Sequence, residues 1–279
     1  MKNKIKKTQS KLGLAINFFV QLVIAGLIIL PTFYGIHYAY NQPEASLYFG
    51  VEKIEYQGLI YLNQEKLDSL VLGSLSKNIL RVDLDQLRSL VETESWVQEA
   101  KVRRKLPNRI IISITERQPV AVAAIDNELY VVDTEGVVLA PYGPHYHSIN
   151  HPIVKGLRNV ARENSQEDNL QRMQMYLRVL ADLKDSSENY NQSISEIDVE
   201  NPERVAVIPD GDPIYIYLGN NNFLTRYKTF LSQKDLYDRL KVQYGLIESV
   251  DVTYDNKIIF HTPQEQGKGV ITHPRDTQS

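Results

Sequence analysis

The chain has 279 residues, 43 % of them hydrophobic, with 31 basic against 34 acidic side chains and no cysteine. That length buries one large or two small cores, and the missing thiols exclude disulfides, thiol catalysis and cysteine-ligated zinc. Five of the cations, Lys2, Lys4, Lys6, Lys7 and Lys11, sit at the amino terminus; the rest of the chain holds 26 basic against 34 acidic residues, a balance that makes nucleic acid a poor ligand and points to protein partners.

After Lys11 no charged side chain appears until Glu44. Residues 12–34 lie in that gap and are long enough, at about 1.5 Å per residue, to cross a hydrocarbon core about 30 Å thick. A signal peptide has a shorter apolar core and a small-x-small site after it, which the isolated Ala39 and Ala45 do not supply. The pattern predicts one transmembrane helix. Lysines before the span and none after it until Lys53 put residues 1–11 in the cytoplasm and the bulk of the chain outside. Phe33, Tyr34, Tyr38 and Tyr40 form an aromatic belt at the outer interface. Asn17 and Gln21 share a helix face; they read either as a contact with another membrane helix or as two tolerated amides.

A short link, Gln42 to Gly50, leads to an apolar strand, Val51 to Tyr56. Asn63 caps a helix with apolar positions Leu67, Leu70 and Val71, and Leu62 with Leu67 has the spacing of a hydrophobic staple. Asp83 with Gln86 three residues later opens a second helix bearing Leu84, Leu87, Leu90 and Val91. A hairpin follows. Ala100, Val102 and Leu106 alternate with Lys101, Arg103 and Lys105, Pro107 and Asn108 turn the chain, and Ile110, Ile112 and Ile114 face away from Ile111, Ser113 and Thr115. Trp96 at its start reads as packing between helix and sheet or as an exposed anchor. The row Lys101, Arg103, Arg104 and Lys105 gives the sheet a basic outer edge, either a guard against edge pairing or a contact for an acidic partner or anionic headgroups.

Strand, helix, helix, strand, strand is the order of a POTRA module. Asn78 to Leu84, Trp96-Val97, Pro107, Glu116-Arg117 and Pro119-Val120-Ala121 together resemble the FtsQ/DivIB family of bacterial cell-division proteins. The resemblance implies an α+β protein: a single transmembrane helix, then a POTRA domain (βααββ, residues 51–119) and a mostly antiparallel β domain with flanking helices (residues 120–262). It runs from Lys2 to about Thr262, and between Arg158 and Glu196 only the order of elements matches.

Within residues 120–262 the strands come in quick succession: Val120 to Ile125, Leu129 to Val132 and Val137 to Leu139, with turns at Asp126-Asn127 and Thr134-Glu135-Gly136. Pro141 to Pro152 is a loop, and Pro152-Ile153-Val154-Lys155-Gly156 resembles a short segment of the family. Asp168 caps a helix whose stripe is Leu170, Met173, Leu177 and Leu180. Three strands follow, Ile194 to Val199, Arg204 to Ile208 and Ile214 to Leu218. Asn222 caps a helix with Phe223, Tyr227, Phe230 and Leu231 inward, continuing or restarting towards Leu240. Residues 263–279 are too polar to order themselves and are expected to be a disordered tail.

Two motifs invite a chemical reading. His145, His147 and His151 crowd one loop at ligand-like spacing, but no acid accompanies them, and no metal or cofactor is expected. Ser74-Leu75-Ser76-Lys77 matches S-x-x-K, yet neither a K-T-G-like strand nor a large α/β domain is present. The expectation is therefore no catalytic residue and no enzyme. The competing classes are a membrane-anchored cell-wall enzyme and a POTRA-type receptor in protein transport; the latter would continue into a barrel with strands of about 9–11 residues, which this chain lacks.

The chain's last hairpin carries the binding expectation. Val250, Val252 and Tyr254 alternate with Asp251 and Thr253, Asp255-Asn256 is a two-residue loop, and Lys257 to Thr262 returns as an edge strand stopped by Pro263. The resemblance implies that this strand accepts a strand of FtsB (DivIC in Gram-positive bacteria), with FtsL and the septal peptidoglycan synthase complex beyond it. The partner-binding residues it implies are Tyr254, Thr253, Lys257, Ile258, Ile259, Phe260 and His261, with Lys228 flanking. Thr253 stands where the family usually has arginine. Tyr254 and Phe260 also have a plain reading as packing for the β domain.

The lysine asymmetry sets a test of topology. A reporter active only in the cytoplasm works when fused before Lys2 and is silent when fused after Thr262; activity at the second position overturns the orientation.

Overall fold

A computed structural model describes residues 3–41, 49–158, 165–184, 188–255, 257–263 and 270–274. Helix α1 (Asn3–Asn41) is continuous through Pro31. Its stretch Gly13–Tyr38 is long and apolar enough to cross a membrane, and none of it is buried by protein. The chain divides into two compact units, residues 1–116 and 117–279.

In the first unit, β1 (Lys53–Gln57) lies parallel to β3 (Arg109–Glu116), and β2 (Val97–Lys105) lies antiparallel to β3 on its other side. Helices α2 (Gln64–Val71) and α3 (Leu84–Val91) cover one face of this sheet. Their starts are fixed locally: the Asn63 side chain accepts from Glu65 N at 3.0 Å, and the Asp83 carboxylate accepts from the backbone of Asp85 and Gln86. Leu67, Val71, Leu87 and Val91 then pack on Val97, Ala100, Ile110, Ile112 and Ile114. Trp96 is buried and lies 4.8 Å, ring centroid to ring centroid, from Tyr61.

Two details of the hairpin differ from the sequence pattern. Leu106 is 58 % exposed, because it sits at the turn, beyond the reach of the helices. Arg104 shares the face of Ala100 and Val102 rather than the basic row. Its guanidinium donates to the carbonyls of Ile79 (2.8 Å) and Val82 (2.5 Å), closing the turn between the helices. Lys101, Arg103 and Lys105 remain on the outer face, Lys101 paired with Glu99 at 3.1 Å.

The second unit holds one sheet of ten strands among the described residues, in the order β13-β12-β11-β10-β9-β8-β7-β4-β5-β6. A meander of β4 (Ala121–Ile125), β5 (Glu128–Val132) and β6 (Val138–Pro141) forms one end. Asp126 and Asn127, with φ of 51° and 66°, join β4 to β5 in the positive-φ turn that suits a tight hairpin. The chain returns as β7 (Ile153–Lys155), parallel to β4, and α4 (Ser165–Leu183) carries it over to β8 (Ile194–Asp198), parallel to β7. Strands β9 (Val205–Pro209) and β10 (Tyr215–Gly219) continue antiparallel. Helices α5 (Phe223–Ser232) and α6 (Lys234–Tyr244) then cross to β11 (Ser249–Asp251), parallel to β10. Met173, Tyr176, Val179, Phe223, Tyr227, Phe230 and Tyr237 from the helices form one core with Ile197, Val207, Ile216 and Val250.

Helix α4 corrects two expectations. It is already helical at Ser165, so Asp168 lies in its first turn and pairs with Arg158 at 2.8 Å instead of capping. Its buried face is Asn169, Arg172, Met173, Tyr176, Val179 and Leu183; Leu170 is exposed, and Leu177 and Leu180 are half-buried. The polar members of that face are answered by backbone near β7. Asn169 exchanges two bonds of 2.8 Å with the backbone of Arg158, Arg172 donates to the carbonyl of Gly156 at 2.8 Å, and Tyr176 donates to that of Pro152 at 2.6 Å. Burial holds the Tyr176 phenol proton far above its ordinary pKa, which keeps it a donor. At the start of α5, Asn222 adopts a left-handed conformation with φ 52° and makes no side-chain cap bond, another departure from expectation. The helix breaks at Gln233 and restarts as α6.

A further correction concerns the carboxyl end. Residues 264–269 and 275–279 lie outside the described residues, but Val270–Pro274 is a strand, β13, paired antiparallel with β12 (Lys257–His261) over five residue pairs. The pairing supplies what composition lacked, a row of backbone donors and acceptors already held open by the sheet.

At the end of the first unit Glu116 is buried, 5 % exposed, and its carboxylate accepts from three consecutive backbone N–H groups, Ile60 (3.0 Å), Tyr61 (2.8 Å) and Leu62 (3.0 Å). Charge-assisted bonds of this kind are worth about 1.5–3 kcal/mol each, and removing the acceptor strands three donors. Glu116→Ala is therefore expected to lower the stability of the first unit by about 3 kcal/mol. Trp96, the one tryptophan of the chain, is the readout: its fluorescence midpoint in a urea titration of the full chain shifts to lower urea. An unchanged midpoint contradicts the anchoring role.

Candidate partner-binding site

The residues expected to bind a partner fall in three groups. Strand β12 is flanked by β11 on one side and by β13 on the other, so the expectation that it is a free edge is wrong. Ile258 and Phe260 point into the core, 1 % and 0 % exposed, while Lys257, Ile259 and His261 are half-buried on the other face. The register pairs Val250 with Phe260 and Asp251 with Ile259.

Thr253 and Tyr254 form the second group. Strand β11 ends at Asp251 rather than running to Tyr254, and the cause is a side chain. The Asp251 carboxylate accepts from the backbone N–H of Thr253 (2.9 Å) and from its hydroxyl (2.6 Å), which turns the chain out of the ladder. Tyr254 emerges 44 % exposed, and the Lys257 ammonium lies 4.7 Å from its ring centroid. Asn256 lies outside the described residues, so the expected two-residue loop at Asp255-Asn256 does too.

Lys228 stands apart. It is exposed on α5, and its ammonium is 5.8 Å from the ring of Tyr190, in the turn that leads into β8 rather than beside β12. The residue of α5 that faces the terminal turn is Arg226. It donates to the carbonyls of Leu218 (2.5 Å) and Asn221 (3.1 Å). Gly219, at φ 76°, leaves room for it: a Cβ there would come within 2.5 Å of the Arg226 guanidinium and 3.3 Å of the Thr253 methyl.

Arg204 was also invisible in the pattern. It spans from β9 to the terminal hairpin, with its guanidinium 3.7 Å from the Tyr217 ring centroid and 3.4 Å from the buried Asp251 carboxylate. Asp251 thus organises the turn with one oxygen and takes a cation with the other. The signal in the sequence for β13 is the β-branched run Val270-Ile271-Thr272, short enough to be lost among polar neighbours.

The two other motifs lead elsewhere. His145 lies in a single turn of 3₁₀ helix, and His147 Nδ1 is 3.3 Å from the Tyr142 hydroxyl. Among the described residues no three His, Asp or Glu side chains converge as a metal-holding group. Ser74 closes the turn after α2, and the carbonyl of Lys77 accepts from Val51 N at 3.3 Å.

Comparison with known proteins agrees with this architecture. The family model described as POTRA domain, FtsQ-type, matches residues 49–117, and that of the cell division protein FtsQ/DivIB, C-terminal, matches residues 121–253. The chain is 28 % identical to the cell division protein FtsQ of Koribacter versatilis over 96 % of its own length and 75 % of that protein. It is 23 % identical to the protein of the same name from Syntrophotalea carbinolica and 25 % to that from Geotalea daltonii, each over 81 % of this chain and 79 % of the relative. With an apolar amino-terminal helix, an FtsQ-type POTRA domain and an FtsQ/DivIB carboxy-terminal domain in that order, the chain belongs to the FtsQ/DivIB family of cell division proteins.

Proposed function

We propose that the chain is a non-enzymatic divisome scaffold. Its amino terminus is cytoplasmic, its bulk is extracytoplasmic at the division septum, and it binds bitopic division proteins of the FtsB/DivIC and FtsL type. Through them it links to the septal peptidoglycan synthase complex. The observation that supports this reading most directly is that the outer side of β12 accepts an antiparallel strand, with Tyr254 exposed just before it and Lys257 half-buried at its start. Backbone pairing along such an edge supplies affinity, and side chains beside it supply choice of partner. Tyr254 is the anchor: a large ring, half out in solvent, which the core does not need. Ile259 lies on β12 itself, Thr253 lies in the turn before it, bonded to Asp251, and Arg204 pairs with the same carboxylate. Lys228 enters this reading only through its place on α5.

The test pairs capture with stability. Tyr254→Ala is expected to weaken capture of an FtsB/DivIC-type partner about tenfold, which corresponds to about 1.4 kcal/mol, while the thermal midpoint of the full chain stays within a degree or two. Ile259→Pro removes a backbone donor in β12 and lowers both. Capture unchanged in both folded variants retires the site.

The non-enzymatic part has its own test. Alanine at Ser74, Lys77, His145, His147 or His151, introduced singly in cells, leaves division normal. A well-folded His147→Ala chain that fails to divide brings a metal site back.

A further inference from the structure

We propose that β13 is a resident strand on the partner-accepting edge, and that an incoming strand binds by displacing it. The inference rests on the reading that partners add to β12. Strand β12 is fixed in the molecule: it pairs with β11, and Ile258 and Phe260 are buried in the core. Among the described residues strand β13 is the last in the sheet, with β12 as its one strand neighbour. Thr272, opposite Ile259, is exposed. The pairing ends at Pro274, which has no N–H to offer, and the connection between the strands contains Gly267 and Gly269. The chain has thus placed an intramolecular strand where an intermolecular one would go.

A segment tied back by a short connection acts at an effective concentration on the order of millimolar. A partner therefore meets an edge that is open only part of the time, and its apparent affinity falls by the open fraction. Removing the resident strand raises partner affinity without adding any contact. If the edge is covered nine times in ten, the gain is about tenfold.

The experiment uses the full chain in two forms, native and with Ile271→Pro and Thr272→Pro together. Adjacent strand residues point their N–H groups to opposite sides, so the pair removes one donor directed at β12 whichever way the register alternates. The first probe is a labelled synthetic peptide copying residues 266–277. It is expected to bind the variant and to be excluded from the native chain; equal binding to both, or binding to neither, overturns the covering role. The second probe is a soluble FtsB/DivIC-type ectodomain, expected to bind the variant about tenfold more tightly. A partner that binds both forms alike, while the peptide tells them apart, overturns displacement and with it the assigned site. Hydrogen exchange needs no partner: alternate backbone amides from Ile258 to His261 are expected to exchange several-fold more slowly in the native chain than in the variant, and equal rates in the two overturn the proposal.

Discussion

Two consecutive residues of opposite charge, Glu116 and Arg117, hold the ends of the two units in place. Glu116 closes the first, its carboxylate saturated by the N–H groups of Ile60, Tyr61 and Leu62. Arg117 opens the second, donating to Asp133 at 2.5 Å and to Glu135 at 2.6 Å. Asp133 in turn accepts from the backbone N–H groups of Glu135 and Val137, so the arginine is clamped to the turn between β5 and β6. Each group is largely buried, and each has its partner within its own unit, which is the condition under which a buried charge is tolerated.

Much of the first unit was legible because its signals are local. Asn63 and Asp83 announce helix starts through bonds that span two or three residues, and the hairpin announces itself by alternation. Arg104 was misplaced for a matching reason: nothing local says that the carbonyls of Ile79 and Val82, more than twenty residues earlier, end up within reach of a guanidinium on the core side of β2. Alternation assigns faces, but it treats every arginine as wet.

The second unit was legible in order and less so in orientation. Helix α4 buries Asn169, Arg172 and Tyr176, a polar stripe that a hydrophobic count rejects, because the backbone around β7 answers each of them. Strand β13 was missed on the same principle from the other side. Two apolar residues cannot order a tail alone, but they need not when β12 offers a ladder. The residues of the terminal hairpin expected to bind came from family resemblance. Arg204, which pairs with Asp251 of that hairpin, and Arg226, which holds the turn from β10 into α5, came only from the folded arrangement.

The ten strands do not form one uniform surface. Strand β7, three residues long, joins the meander of β4 to β6 to everything from β8 onward, and it pairs in parallel on both sides. Parallel pairing is slightly weaker per residue than antiparallel, and three residues offer little of it. The backbone ladder is therefore thinnest at β7, and what spans it is one hydrophobic core shared by the strands on both sides. The meander's attachment to the strands beyond then rests more on that shared core, where Met173 of α4 packs, than on the ladder.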